Sequence, residues 1–432
     1  MVTFGRTLSW KDDAVASARL RAWLPSGLAK PSARMAEALR MHGPSTRARL
    51  GEISGLSRPT VSAALGELAE RGFLESGTGD SASGLGRPAE LFRLSRNAGL
   101  VVGVDIGRRH VQVVLADLGH QEIDKMPAEE DAYRHPPSAD ADPARVLDRS
   151  ADLVRALLDR NGGNLEQVVA LGLGIPAPVT HRGEIGSPTL LPAWQGTNPA
   201  QALADRLGDV PVLVDNDANL GALGEYLFGH FRPDHRTARG HEMVYVKIAT
   251  GIGAGIIRDG RICRGASGTA GELGHITLDY QDRQICLCGN HGCLALYAGG
   301  EALLKKARAG LPKLVDTLDL VDRAKAGDPY CISVVKDAGD LIGTALGTLV
   351  NLNSPDQIVI GGELSDSGEI LLGPVRERIE RTAMPPAASA VMISEARLKK
   401  WSSAWGAAAL VLTSTAAGPR PREAGHRRYH SS

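Results

Sequence analysis

The stretch from Gly271 to Cys293 reads G-E-L-G-H-I-T-L-D, then a short linker, then C-L-C-G-N-H-G-C, and it restricts the fold more than any other part of the chain. His275 with Cys286, Cys288 and Cys293 offers one imidazole and three thiolates, the ligand set of a closed tetrahedral site, so a structural Zn2+ is expected here. Gly289 and Gly292 allow the tight backbone that lets thiolates converge on one ion. The other two cysteines, Cys263 and Cys331, are isolated. Buried thiols or disulfides are the competing use of such a cluster, but nothing marks the chain as secreted. Glu272, three residues before His275, sets a carboxylate beside the metal and implies a polar pocket there.

A chain of 432 residues is too long for one average domain, and two or three are expected. No apolar run reaches the roughly 18 residues needed to span a bilayer, and the start lacks the apolar core of a signal peptide, so no membrane association and a cytoplasmic location are expected. The zero net charge hides an asymmetry: residues 1–100 hold 14 Lys/Arg against 9 Asp/Glu, and the remainder 35 against 40. A basic N-terminal part on an acidic body fits a nucleic-acid reader joined to a small-molecule domain, although such a split also occurs on ordinary wet surfaces.

Residues 1–30 show no sustained periodicity and read as a flexible arm. From Pro31 the spacing of Met35 and Leu39 predicts a helix closed by Gly43; Ser45 can cap a second helix carrying Leu50 and Ile53. A third helix follows from R-P-T-V-S, with Val61, Leu65 and Leu68 as its core stripe. Short strands at Phe73–Glu75 and Glu90–Leu94 flank a Gly/Ser-rich loop, which completes a winged helix-turn-helix over residues 31–97. Ser57, Arg58, Thr60 and Ser62 occupy the start of the third helix, the end that meets base edges and phosphates in a major groove, and Arg87 lies near the base of the wing. These five are the candidate DNA contacts. A small helical bundle with a merely wet face is the alternative.

Beyond Leu100, buried-type strands at V-V-G-V-D-I-G, H-V-Q-V-V-L-A-D, Val168–Gly174, Val210–Val214, Met243–Ala249 and Gln357–Ile360 alternate with helical stretches, the pattern of an α/β body over residues 98–415. Residues 416–432 are basic and proline-bearing and read as a disordered tail.

The run G-T-A-G-E-L-G-H-I followed by C-x-C-G-x-x-G-C resembles the signature of the ROK family, which groups bacterial sugar kinases with sugar-responsive repressors; the resemblance extends from about Met35 to Leu412. It implies a two-lobed actin-like (ribonuclease H-like) sugar-binding domain. By the same resemblance His275 ligates zinc and touches the sugar, Glu272 bonds sugar hydroxyls, Asn216 binds sugar, and Asp217 stands at the position of a kinase's general base. The loop G-L-G-I-P-A-P-V from Gly172 resembles the one that closes over the sugar, with Trp194 either flanking the pocket or in the core.

Two departures matter. Family kinases carry D-x-G-x-T after the first strand, where bare backbone approaches phosphate; this chain reads Asp105, Ile106, Gly107, Arg108, Arg109. The kinase motif also continues G-C-x-E, whereas Cys293 is followed by Leu294 and Ala295. The glycine runs at Thr250–Gly255 and Gly361–Gly362 suit either a nucleotide or tight turns. The expectation is therefore a sugar-responsive regulator, a repressor by family precedent, that binds operator DNA as a homodimer or homotetramer and has no ATP/Mg2+ cofactor. The rival is an ATP-dependent hexose kinase using Asp217, with an accessory DNA-binding domain; a sugar-binding scaffold is a third reading.

Overall fold

In the computed structural model, which describes residues 23–24, 26–78, 90–127, 142–180, 183–187, 189–229 and 242–414, three helices and a small sheet come first. Helix α1 (Lys30–His42) starts with Pro31 in its first turn and stops at Gly43, whose φ of 68° only glycine adopts freely. Strand β1 (Ser45–Thr46) leads into α2 (Arg47–Ser54). The cap of α2 is Thr46, accepting from the Arg49 N–H, and not the expected Ser45, which pairs with Phe92 in the sheet. Helix α3 (Arg58–Glu70) is capped by Ser57 and buries Val61, Leu65 and Leu68. Strands β2 (Leu74–Thr78) and β3 (Glu90–Leu94) are antiparallel, and β3 lies between β1 and β2. Arg87 and the loop between β2 and β3 fall outside the described residues, as do residues 416–432.

The body repeats one plan. Strands β4 (Leu100–Ile106), β5 (Val111–Asp117) and β6 (Glu122–Pro127) run antiparallel; after α4 (Pro143–Arg160), β7 (Val168–Ile175), α5 (Pro199–Arg206) and β8 (Val212–Asn216), the sheet order is β6-β5-β4-β7-β8, with β7 and β8 parallel to β4. Helix α6 (Asp217–Leu227) leads away from β8. Strands β9 (Glu242–Ile248), β10 (Ile252–Arg258) and β11 (Arg261–Ile262) are again antiparallel. Four helices follow: α7 (Ala295–Ala298), α8 (Gly300–Gly310), α9 (Thr317–Lys325) and α10 (Pro329–Asn353). Strand β12 (Gln357–Gly361), α11 (Glu369–Thr382), α12 (Pro385–Ala390) and β13 (Met392–Glu395) then complete a second sheet in the order β11-β10-β9-β12-β13, with β12 and β13 parallel to β9. Order and direction match the first sheet strand for strand.

The last helix, α13 (Ser402–Thr413), packs with α6 between the two sheets. Both β4 and β5 are buried along their whole length because α4 covers one face and α13 the other. The contact between α6 and α13 is backbone against backbone: a Cβ on Gly406 would stand 1.7 Å from the Leu220 carbonyl oxygen. Any larger residue there would force the helices apart.

The boundary expected at residue 97 does not separate two cores. Met35, Leu39, Leu50, Val61 and Leu65 belong to the same apolar cluster as Leu118, Trp405, Val411 and Leu412. Within the expected flexible arm, Trp23, Leu24 and Leu28 also pack against this cluster, so order begins earlier than residue 31.

Candidate functional site

The 3-10 turn Leu273–His275 and the loop that follows bring His275, Cys286, Cys288 and Cys293 together, with their ligand atoms all within 4.8 Å of one another. A tetrahedral ion with bonds of about 2.3 Å to sulfur and about 2.0–2.1 Å to nitrogen would set sulfurs about 3.8 Å apart and sulfur about 3.5 Å from nitrogen. Cys288 and Cys293 Sγ are 3.8 Å apart, and Cys286 Sγ lies 3.5 Å from His275 Nδ1. Burial and the neighbouring cysteines push the Cys293 thiol up to about 12, so the set gains its thiolate form only with a cation to pair it. The residues fit a metal. The other ring nitrogen, His275 Nε2, faces the Glu272 carboxylate at 3.8 Å, which carries the metal loop into the cleft beside it.

That cleft, about 1150 Å³, lies between the two repeated sheets and is lined by Asn216, Asp217, Glu272 and His275, the four residues expected to meet a sugar. Burial, then the Asp217 charge, pushes the Glu272 carboxyl up to about 7. Asn216 caps α6, its Oδ1 accepting from the Ala218 and Asn219 N–H groups while its amide donates to the Ala177 carbonyl. Only one amide N–H of this expected sugar ligand is left over among the described residues. Ala295 lines the cleft where the kinase motif has glutamate, and Trp194, 1% exposed, belongs to the core instead of the pocket.

Asp217 starts α6 with its carboxylate 2.9 Å from Lys247 Nζ. Lys247 also donates to Ser403 Oγ at 3.1 Å and stands 3.8 Å from Asp105 Oδ2, the oxygen that His110 Nε2 meets at 2.8 Å. Burial alone would push Lys247 down and Asp105 up; their mutual attraction reverses both, holding the ammonium well above its usual range and the carboxylate below. The base position is therefore already engaged by a cation of the chain.

The two arginines of the altered phosphate loop are engaged as well. Arg108 donates to the Leu190 carbonyl at 2.8 Å. Arg109 crosses the cleft, 3.0 Å from Asp316 Oδ2 and 3.6 Å from Glu363 Oε2. The run Thr250–Gly255 is mostly the strand β10 and not a free loop: a Cβ on Gly255 would lie 2.4 Å from the Ala218 carbonyl, so this glycine lets α6 sit on the sheet.

At the N-terminal unit, Ser57 and Thr60 share a hydroxyl hydrogen bond of 2.7 Å at the cap of α3, and Ser62 accepts from Arg47 at 3.2 Å. Arg58 and Ser62 are exposed at the same helix end. Sequence reasoning missed Lys247, His110, and Arg264, which grips the buried Asp215 with Nε at 2.7 Å. The only written signal for Lys247 is a lone charge inside the apolar strand M-V-Y-V-K-I.

The ROK family model matches residues 101–414. Among curated proteins, the chain is 29% identical to a xylose repressor of Caldicellulosiruptor bescii over 80% of this chain and 86% of that protein. It is 28% identical to the xylose repressor of Bacillus subtilis (78% and 83%), and 30% identical to a glucokinase of Thermotoga maritima (57% and 80%). Among solved structures, a ROK family transcriptional regulator described as a homolog of the E. coli MLC protein aligns with a TM-score of 0.68 at 23% identity, covering 92% of this chain and 96% of that one.

Proposed function

This chain belongs to the ROK family, and we infer that it is a sugar-responsive transcriptional repressor. In this reading the N-terminal unit is a winged helix-turn-helix that presents Ser57, Arg58, Thr60 and Ser62 to operator DNA, with Arg87 as a further contact. The two repeated sheets are the lobes of an actin-like (ribonuclease H-like) body whose cleft takes a sugar through Asn216, Asp217, Glu272 and His275. Zn2+ on His275, Cys286, Cys288 and Cys293 fixes the imidazole and, through it, the Glu272 loop.

The observation that carries the reading is the helix joining the two ends. At the first turn of α13, Ser403 Oγ donates to the Asp217 carbonyl at 2.8 Å. At its last turn the carbonyls of Val411 and Leu412 accept from Arg40 of α1, at 2.8 and 2.9 Å. In this reading α13 carries a change at the cleft to the helices that would hold DNA. A sugar shifts DNA binding only if it binds two arrangements with different affinity. Reading two half-sites further requires a homodimer or homotetramer.

The test is binding of the zinc-loaded protein to its own upstream DNA, with and without a panel of pentoses, hexoses and N-acetylated hexosamines. Salt-sensitive, specific binding released by one sugar is the expected result. ADP release that depends on a sugar and on Asp217 would instead establish the kinase.

A further inference from the structure

Lys247 belongs to the central strand β9, and the residues paired with it on either side, Gly253 and Gly361, have no side chains to shield it. Its side chain is 13% exposed, that of Asp217 13% and that of Asp105 not at all. An ammonium has three N–H donors. Asp217 Oδ2 and Ser403 Oγ take two of them, and Asp105 Oδ2 is the acceptor nearest the third. Lys247 therefore links the carboxylate of the altered phosphate loop to the carboxylate at the base position. Phosphoryl transfer draws the positive charge of such a cleft from metal ions that bridge the nucleotide's β- and γ-phosphate oxygens. Here the chain supplies it covalently.

Resting on the reading of the cleft as a sugar site, we propose that Lys247 is a positioning residue that serves as a permanent cation between Asp217 and Asp105, so that a sugar is bound with neither nucleotide nor divalent metal. The ammonium holds the Asp217 carboxylate in place, 2.9 Å away, aimed to accept from a sugar hydroxyl. Asp105 Oδ1, buried and without a hydrogen-bond partner among the described residues, is the free acceptor a metal would take if the ammonium were removed.

The experiment uses full-length, zinc-loaded protein and two readouts: calorimetric binding of D-xylose and D-glucose, with and without Mg2+ and a non-hydrolysable ATP analogue, and Mn2+ binding followed by electron paramagnetic resonance. For the wild type, nucleotide and Mg2+ change sugar affinity by less than about twofold, and no Mn2+ binds beyond the zinc site. Lys247→Met weakens sugar binding at least about tenfold and gains one Mn2+ site; Lys247→Arg, which restores the charge, recovers the affinity to within a few-fold and loses the Mn2+ site. A Lys247→Met protein with wild-type sugar affinity and no Mn2+ site would overturn the proposal. So would a wild-type affinity raised tenfold or more by the nucleotide and Mg2+, a result that does not depend on any variant folding. If no sugar binds the wild type, the sugar-site reading falls, and the Mn2+ titrations alone decide the role of Lys247.

Discussion

Arg40 is the residue whose loss should tell most about how the N-terminal helices are held. Its side chain is fully buried, and its guanidinium donates to the carbonyls of Val411 at 2.8 Å, Leu412 at 2.9 Å and Ser414 at 2.6 Å at the open end of α13, where the Val411 carbonyl also accepts from Ser414 Oγ at 2.9 Å. Glu37 balances the charge from the preceding turn of α1. In Arg40→Met the stem is kept and the donors are lost. Each buried carbonyl left dry costs about 1–3 kcal/mol. Val411 keeps the Ser414 hydroxyl, and Ser414 is partly exposed and can recruit water, so the loss falls at about 2–4 kcal/mol. Urea denaturation should report that loss, and hydrogen exchange should quicken in the last turn of α13 and in α1 before it does so in the sheets. Glu37→Gln is the comparison: it keeps an acceptor for the guanidinium but leaves the charge of the fully buried Arg40 unbalanced, so it should cost about 1–3 kcal/mol, less than Arg40→Met. A loss below about 1 kcal/mol in Arg40→Met, with unchanged exchange at residues 409–414, would refute the reasoning.

Cys288→Ser should reduce bound zinc to well below one ion per chain, measured by atomic absorption, and lower the melting temperature, since three ligands no longer close the site. The Nε2 of His120 bonds the Arg40 carbonyl at 2.6 Å, and burial pushes the ring down to about 4. The unfolded chain therefore binds a proton that the folded one refuses. Stability is full above about pH 6.5 and falls toward pH 4, by about 2 kcal/mol once screening of a partly exposed ring is allowed for; His120→Asn should flatten the urea midpoint over that window. Arg58→Ala should weaken operator binding by on the order of 1–3 kcal/mol in a fluorescence titration while leaving sugar affinity unchanged. Glu272→Gln should lower sugar affinity roughly tenfold by calorimetry at pH 8, where the carboxyl is ionised, through loss of a charge-assisted acceptor, and by less at pH 6, where the wild-type carboxyl is protonated.

What the sequence determined by itself is local. The candidate metal ligands Cys286, Cys288 and Cys293 lie within one short loop, so spacing and two glycines bring them together without help from distant parts of the chain. The same holds for the core stripe Val61, Leu65 and Leu68, which one helical period places on one face, and for the buried strands β4 and β5, whose apolar runs require cover on both sides. Only the tertiary structure decided which charges meet. Arg40 and Leu412 are 372 residues apart, Arg109 and Asp316 are 207 apart, and Lys247 and Ser403 are 156 apart. No periodicity encodes such pairings, because a charge on a strand or helix finds its partner only after the sheets have stacked. The glycines of β10 stayed ambiguous in the sequence for a related reason. Gly255 reads as a phosphate loop until α6 is seen lying against it, since close backbone approach to a ligand and to a helix both exclude a side chain.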